Sequence, residues 1–306
     1  MAFYLGVDAG GTKTQYVLAD EQKELARVQG GTIKRMRADE AVTTRNLDGA
    51  LAELASLAGV SMQSVTRTCI GAAGITVPLV TDWMREAFGK RVGGSLILVG
   101  DVEIALDAAF FGGAGVLVLA GTGSNVAGRS PLGKLTTAGG WGPVLADQGS
   151  GHRIGYQALR DAFLARDEGR DTALMPAILK LWDLPDVEGL VAYANRIPAP
   201  DFSRLAPVVV ACAEQGDAVA EGVLRREAEE LAHLVHLVID RLRRDAPGPE
   251  WLPRIAFTGS ILERVLAVRE GIVEVLKQDF PSLETFPGVV DPVLGALWRA
   301  RTHASR

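Results

Sequence analysis

The sequence predicts an α/β protein made of two domains with related architecture. Strand-like and helix-like segments alternate through the first third of the chain, a pattern typical of a partly parallel sheet covered by helices. An apolar strand that leads into a glycine-rich turn opens the chain and recurs about 110 residues later, which suits tandem domains. The length of 306 residues is sufficient for two ordinary cores. We expect domains over residues 1–112 and 113–287, and a C-terminal helix at about 288–306 that packs back on the first domain.

The first domain is predicted to begin with a β-meander. Residues 2–7 alternate apolar side chains, and the strand-like segments TQYVLAD and ELARV follow. A helix is expected at 41–57, where Leu47, Leu51 and Leu54 share one face. Strand TRTCIGAAG, a helix at 80–88 and strand SLILVG follow in turn.

The second domain is predicted to repeat the opening strands and then to become more helical. Strand GVLVLA, a second strand that runs into SPLGK and strand LTTAGG form its meander, and strand RIAFTG comes later. Apolar periodicity predicts helices at 155–165, 172–181, 186–194, 217–244 and 262–279, and a last helix in VLGALWRARTH.

Composition narrows the function. The net charge of −5 argues against binding to duplex nucleic acid, which needs a basic surface. Two cysteines, Cys69 and Cys212, are too few for a disulfide framework or a thiolate metal site, and a reducing cytoplasm fits them best. Apolar runs are shorter than a bilayer requires, and no export signal precedes the first strand. The expected partner is a small molecule, with no nucleic acid and no membrane.

The motif DAGGTKT, from Asp8 to Thr14, has the composition of a phosphate-binding turn. Gly10 and Gly11 let backbone N–H groups approach phosphate oxygens, and Asp8 can orient Mg²⁺ through water molecules. A plain hairpin turn is the alternative, but it requires no aspartate at this place. A Walker A loop is rejected because Thr12 stands where that loop needs lysine, and because a strand follows instead of a helix.

The motif AGTGSN occupies the equivalent turn of the second half. Its residues Gly121, Thr122 and Gly123 again combine glycine with a hydroxyl. Two such turns in matching positions of duplicated domains can hold one triphosphate from both sides. The pair therefore predicts a nucleotide site, although either turn alone is weak evidence.

Asp101 ends strand SLILVG and precedes a helix. Phosphoryl transfer to an alcohol needs a carboxylate that positions the hydroxyl and accepts its proton, and strand ends of open α/β sheets commonly carry such groups. A helix N-cap is the competing interpretation. Asp107, farther along the same helix, is predicted to be a surface residue.

Two later segments complete the set of candidates. GGWGPVLADQGSGHRIG, from Gly139 to Gly155, combines glycines, Trp141, Asp147 and Gln148, which suits the mixed polar and apolar surface of a pyranose. A glycine-rich interdomain loop is the alternative. FTGS places Gly259 and Ser260 at a strand-to-helix turn that can cover an adenine or a ribose.

In their order, these motifs resemble the N-acetylglucosamine kinase group of the actin, heat-shock chaperone and sugar kinase superfamily, within the BadF/BadG/BcrA/BcrD ATPase family. The resemblance covers essentially the whole chain, through DAGGTKT, Asp101, AGTGSN, GGWG with DQGSG, FTGS and GALWRA. It implies two tandem actin-like (ribonuclease H-like) domains that flank a nucleotide-binding cleft. It also implies ATP-dependent phosphorylation of an amino sugar, such as N-acetylglucosamine at its 6-hydroxyl, with ATP and Mg²⁺, and it is compatible with a homodimer.

The resemblance assigns roles residue by residue. Asp101 is implied to be the catalytic base and a sugar contact. The residues implied to bind MgATP are Asp8, Gly10, Gly11, Thr12, Lys13, Thr14, Gly121, Thr122, Gly123, Gly259 and Ser260. The other residues implied to bind the sugar are Ser124, Asn125, Gly140, Trp141, Gly142, Asp147 and Gln148.

Two departures from the family pattern bear on the acceptor. The loop GGTIKRMR carries Ile33 and Lys34 where the family has a sugar-contacting asparagine, and Gln148 replaces the usual acidic residue before GSG. Glucosamine, another hexose or N-acetylmuramate are therefore alternative acceptors, the last because its carboxylate could pair with the basic loop. More distant alternatives are a dehydratase-activator ATPase, which needs an iron–sulfur cluster held by cysteines, and a non-catalytic sugar sensor.

Overall fold

The computed structural model describes residues 1–302, which form two compact units. One unit contains Met1–Gly113 together with the C-terminal segment from Val290 onward, and the other contains Ala114–Val289. Each unit is a mixed α/β structure with its own sheet and its own core. The predicted α/β class is therefore confirmed. Residues 303–306 of the predicted C-terminal helix lie outside the described residues.

The first unit contains a five-stranded sheet. Its strands are β1 (Phe3–Ala9), β2 (Lys13–Ala19), β3 (Glu24–Gly31), β4 (Val65–Ala72) and β5 (Ser95–Val99). Their order is β3-β2-β1-β4-β5, with an antiparallel meander of β1 to β3 and parallel pairing of β1 with β4 and β4 with β5. The carboxyl ends of β1, β4 and β5 consequently meet at one edge of the sheet.

Three helices connect or follow these strands: α1 (Glu40–Ala58), α2 (Pro78–Gly89) and α3 (Asp101–Phe110). Helix α1 begins where the Asp39 side chain accepts the N–H of Val42, and its buried face includes Leu47, Leu51 and Leu54, as its periodicity predicts. The main core of this unit joins α1 and α2 to the sheet.

The second unit contains a four-stranded sheet. Its strands are β6 (Gly115–Ala120), β7 (Ser124–Arg129), β8 (Leu135–Gly139) and β9 (Ile255–Thr258). Their order is β8-β7-β6-β9, in which β6 to β8 form an antiparallel meander and β9 pairs in parallel with β6. The meander thus repeats that of the first unit, as the sequence predicts.

Seven helices complete this unit. They are α4 (Gly151–Asp167), α5 (Leu174–Trp182), α6 (Val187–Ala194), α7 (Ala206–Glu214), α8 (Ala218–Arg243), α9 (Ser260–Arg264) and α10 (Leu266–Asp279). The helix predicted at 262–279 is divided at Val265, whose extended backbone interrupts it. Helix α7 was not predicted, because its periodicity is weak and Pro207 stands near its start.

The final helix, α11 (Pro292–Thr302), belongs to the first unit and packs against α3 and β1. Its Arg299 Nε donates to Asp107 Oδ2 at 2.6 Å, and the Asp107 side chain is fully buried. The prediction that Asp107 is a surface residue is wrong, because a helix distant in sequence covers that face of α3. Within residues 1–302, no helix combines the length and the apolar character needed to cross a bilayer.

Candidate active site

Two carboxylates meet at the carboxyl edge of the first sheet. Asp8 is near the end of β1, and Asp101 directly follows β5 and Gly100. Burial, together with the negative charges of Asp101 and Asp291, raises the pKa of Asp8 to about 6, against the opposing charges of Lys34 and Lys13. The sheet topology therefore brings Asp8 and Asp101 into one electrostatic neighbourhood.

The start of α3 fixes the position of Asp101. Gly100 is the N-cap residue, and its N–H donates to Glu103 Oε1 at 3.1 Å. Asp101 is the first helical residue, and its Oδ1 accepts the adjacent N–H of Val102 at 3.0 Å. The Arg299 guanidinium lies 3.4 Å from Glu103 Oε2 and also binds Asp107. Asp101 is thus presented by an anchored helix without itself serving as its N-cap.

The first glycine turn is exposed and has free donors. Gly11 and Thr12 are exposed, and within the described residues no hydrogen bond engages their N–H groups. Lys13 donates from Nζ to Gln29 Oε1 at 3.2 Å, whereas Thr14 is buried and its hydroxyl accepts the N–H of Ile33. The free N–H groups fit the oxygens of a phosphate.

The loop after β3 is attached to this turn. Thr32 Oγ1 donates to Gly10 O at 2.9 Å, and Ile33 is fully buried. Lys34 contributes to lowering the pKa of Asp8, and Arg37 Nε is 4.0 Å from the place that a Cβ on Gly11 would occupy. This loop therefore brings basic side chains beside both the turn and Asp8.

In the second unit, the equivalent turn borders a cavity of about 350 Å³. Gly121 and Thr122 form one side, and the other residues that line it include Gly151, Ala206, Val210, Ser260 and Arg264. In the described chain, no hydrogen bond occupies the N–H groups of Thr122 and Gly123. A volume in the range of small-ligand pockets, with apolar walls and a glycine turn at its edge, fits a nucleoside attached to phosphate.

Gly259 brings the FTGS turn close to the glycine turn. Its φ is +98°, and a Cβ at this position would lie 2.3 Å from Ala120 O. Only glycine satisfies both conditions, so the backbone of β9 can turn into α9 against the end of β6. Ser260, the first residue of α9, consequently borders the cavity.

Six predicted sugar-binding residues gather beside the second turn. Asp147 is buried, and burial raises the pKa of its carboxyl. The N–H groups of Ser124 and Gly142 donate to this carboxyl and oppose the rise in its pKa. Ser124 Oγ donates to Gln148 O at 2.6 Å, and a Cβ on Gly140 would contact the Asn125 amide at 3.0 Å.

This cluster has unused hydrogen-bonding capacity. Asn125 Oδ1 and Gln148 Oε1 are buried acceptors that no donor in residues 1–302 satisfies. Buried polar atoms normally have partners, so two such amide oxygens indicate a place for ligand hydroxyl or N–H groups. Trp141, by contrast, is 74% exposed, so its ring is not packed within the cluster.

Several contributors were not found from the sequence. Helix α7 and Arg264 line the cavity, Asp291 adds negative charge near Asp8, and Glu227 binds the segment that carries Asp147. Only Arg264 could have been found from the sequence. It follows Ser260 by four residues, a spacing that places both side chains on one face of a helix. The others depend on contacts between segments distant in sequence.

Comparison with known proteins shows that this two-sheet α/β chain is a nucleotide-using protein. The chain belongs to the BadF/BadG/BcrA/BcrD ATPase family, whose model matches residues 5–300. The family resemblance inferred from the motifs is thereby confirmed, and use of ATP follows from membership.

The chain is also similar to proteins that are named as sugar kinases. N-acetyl-D-glucosamine kinase of Dictyostelium discoideum is 28% identical over 96% of each chain. N-acetylmuramic acid/N-acetylglucosamine kinase of Clostridium acetobutylicum is 28% identical over 99% of each chain. A provisionally assigned N-acetylglucosamine kinase of Chromobacterium violaceum, of known crystal structure, is 25% identical and has a TM-score of 0.74, covering 97% of this chain and 98% of its own.

Proposed function

We propose that this protein is an ATP-dependent sugar kinase that phosphorylates N-acetylglucosamine at its 6-hydroxyl. The observation that carries the proposal is the placement of Asp101 beside Asp8, at the sheet edge that also holds the first glycine turn. Near-full-length similarity to two kinases named for N-acetylglucosamine supports the choice of acceptor.

In this proposal Asp101 is the general base. Its carboxylate accepts the proton of the acceptor hydroxyl as the oxygen attacks the γ-phosphorus of ATP, and the bond from that phosphorus to the bridging oxygen breaks to release ADP. Within residues 1–302 the Asp101 carboxylate accepts one hydrogen bond, from Val102, so lone pairs remain for the hydroxyl. The anchored start of α3 limits the entropy lost in positioning it.

Each glycine turn offers backbone donors for phosphate in this proposal. The free N–H groups of Gly11, Thr12, Thr122 and Gly123 donate to phosphate oxygens, and the cavity beside Ser260 receives the adenosine. Asp8 would hold Mg²⁺ through water molecules, and the ion would supply neutralisation of the phosphate charge.

In this proposal the side chains of Asp147, Asn125 and Gln148 bind the acceptor sugar. The two unsatisfied amide oxygens accept hydrogen bonds from sugar hydroxyls or from the N-acetyl N–H group, and Asp147 accepts from a third donor. A site that leaves buried polar atoms unpaired discriminates against a sugar that lacks the matching donor. Glucose should therefore be a poorer substrate than N-acetylglucosamine.

A panel of acceptors tests this function. The purified protein is supplied with MgATP and, separately, N-acetylglucosamine, glucosamine, glucose or N-acetylmuramate, while ADP and sugar phosphate are measured. We expect the highest kcat/KM with N-acetylglucosamine and phosphate on its 6-oxygen. ADP without a phosphorylated sugar would instead support an ATPase, and sugar binding without ADP would support a sensor.

One observation favours N-acetylmuramate as a second acceptor. Arg35 is held by Glu40 and Ala38 O, but for Lys34 and Arg37 the described residues provide no ion-pair partner. Both lie near Asp8 and Gly11, where a sugar carboxylate could bind them, and the Clostridium acetobutylicum relative is named for both sugars. Replacing Arg37 by Met should then raise KM for N-acetylmuramate more than KM for N-acetylglucosamine.

The cysteines disfavour the dehydratase-activator alternative. Cys69 is fully buried in the first unit, and burial raises its pKa to about 12, while Cys212 is buried in the second unit with a raised pKa. Thiolates that hold a cluster must be accessible and readily ionised, and these thiols are neither. Iron analysis of the purified protein tests the point directly.

A further inference from the structure

A buried carboxylate outside the candidate site is attached to the segment that carries Asp147 and Gln148. Glu227, on α8, is fully buried, and its Oε2 accepts the N–H of Gly149 at 2.8 Å. Its other oxygen is 3.5 Å from Arg153 Nε, a separation that forms an ion pair without a hydrogen bond. A charge placed so deeply without full pairing is costly, which calls for an explanation other than stability.

The segment that Glu227 holds has an unusual backbone. Asp147 has a φ of +65° and Gly149 has a φ of +73°, so two residues of the segment are in the left-handed region. A Cβ on Gly149 would lie 2.6 Å from Leu231 Cδ2, so the segment also lies close against α8. A non-glycine residue in this region is strained and persists only where its surroundings hold it.

The same segment continues into the nucleotide side of the site. Ser150 Oγ accepts the N–H of Arg153 and caps α4, and the N–H of Gly151 donates to Gly121 O at 2.8 Å. The N–H of His152 donates to Thr122 O at 3.3 Å. One short stretch thus connects the acceptor-reading side chains to the second glycine turn.

We propose that Glu227 is a positioning residue, which, through its hydrogen bond with the Gly149 N–H, holds residues 147–151 in the arrangement that presents Asp147 and Gln148 to the sugar. This inference rests on the proposed function, in which those two side chains read the acceptor. In this proposal Glu227 does not contact the sugar. Its substitution should therefore change the KM for the acceptor more than it changes kcat.

The charge of Glu227 gives this role a pH signature. Burial raises the pKa of its carboxyl to about 7, with Glu230 raising it as well, and the Gly149 N–H, Arg153 and Arg226 lower it. A carboxylate accepts a stronger hydrogen bond than a neutral acid. The hold on Gly149 is thus stronger above pH 7 than below it.

Two substitutions separate the hydrogen bond from the charge. Glu227→Leu removes the acceptor and should raise KM for N-acetylglucosamine at least tenfold, with a smaller change in KM for ATP. Glu227→Gln retains an oxygen acceptor without charge, and at pH 8 it should raise the sugar KM by about 3- to 10-fold, the range expected for weakening one hydrogen bond. The ratio of KM between this variant and the wild type should approach one at pH 5.5, where wild-type Glu227 is protonated.

The matched control is Glu230→Gln, on the same helix and 3.6 Å from the same arginine, Arg153, at its Oε2. Within residues 1–302 the Gly149 N–H donates to Glu227 and not to Glu230, so Glu230→Gln should leave the sugar KM within twofold of the wild type. An equal rise in sugar KM for Glu230→Gln, or an unchanged sugar KM in a folded Glu227→Leu protein, would overturn the proposal. Loss of kcat alone, with both KM values unchanged, would also overturn it.

A second readout does not depend on the reaction. Hydrogen exchange of the Gly149 amide, measured without ligands, should be slow in the wild type and in Glu230→Gln, and at least tenfold faster in Glu227→Leu. Unchanged exchange in Glu227→Leu would contradict the role of Glu227 even if the protein is a sugar kinase. If Gly149 exchanges faster in Glu227→Leu but the wild type phosphorylates none of the sugars, the contact between Glu227 and Gly149 is supported and the proposed function is rejected.

Discussion

Burial and the neighbouring Asp101 carboxylate together raise the pKa of Asp8 to about 6. Two carboxylates held close together are mutually unfavourable, and such arrangements are concentrated at functional sites. The sheet topology creates this one, since β1 and β5 run in the same direction and end at the same edge. Removing the charge of Asp8 should therefore relieve this repulsion.

Asp8→Asn should make the protein more stable at neutral pH while abolishing its activity. The folded-state pKa of Asp8 is above its unfolded value of 3.8, so its contribution to stability is complete below pH 3.8 and is lost as the pH rises through about 6. Asp8 is partly exposed, and screening reduces the effect to about 1–2 kcal/mol. Urea unfolding at pH 4 and pH 7 should show a gain for the variant only at pH 7. A variant less stable than the wild type at pH 7 would contradict this interpretation.

The pair formed by Arg299 and Asp107 should be a major stabilising contact of the first unit. Arg299→Met leaves the fully buried Asp107 carboxylate without its guanidinium, and removal of one partner of a buried pair costs about 3–5 kcal/mol. The exposed pair of Lys90 and Glu86 is the matched control, and Lys90→Met should cost less than about 1 kcal/mol. Thermal unfolding of both variants makes the comparison, and equal losses would show that α11 is not anchored by Arg299.

The cavity beside Ser260 should control affinity for ATP. Ala211 is exposed on α7 and lines this cavity, so Ala211→Trp fills it without disturbing the core. We expect KM for ATP to rise at least tenfold, with KM for the sugar within threefold of the wild type. Ala192→Trp, at an exposed position of α6 outside the cavity, is the control and should change neither value. An unchanged KM for ATP in Ala211→Trp would show that ATP does not bind in this cavity.

Local patterns were enough to predict much of the fold. The alternation of apolar residues identified both meanders, and the periodicity of Leu47, Leu51 and Leu54 identified α1 and its buried face. The glycine turns and Asp101 were identified because their chemistry is carried by adjacent residues. Their functional roles remain proposals.

The remaining features depend on contacts that no local pattern records. Asp107 has the sequence environment of a surface residue, and only the return of α11 buries it. Glu227 has the appearance of one more charged residue on a long helix, although its partner, Gly149, is 78 positions away. Asp291 is brought near Asp8 by the same C-terminal segment. Tertiary contacts, not propensity, determine these three positions.

The most direct test of Asp101 as the general base is the turnover of Asp101→Asn. The amide preserves shape but accepts no proton at neutral pH, so kcat with N-acetylglucosamine should fall by about 10²- to 10⁴-fold, as when a general base is removed. Asp82→Asn, at an exposed position of α2, is the control. Calorimetry should give the same affinity for ATP in Asp101→Asn and the wild type. Turnover within threefold of the wild type would contradict the central claim that Asp101 is the base.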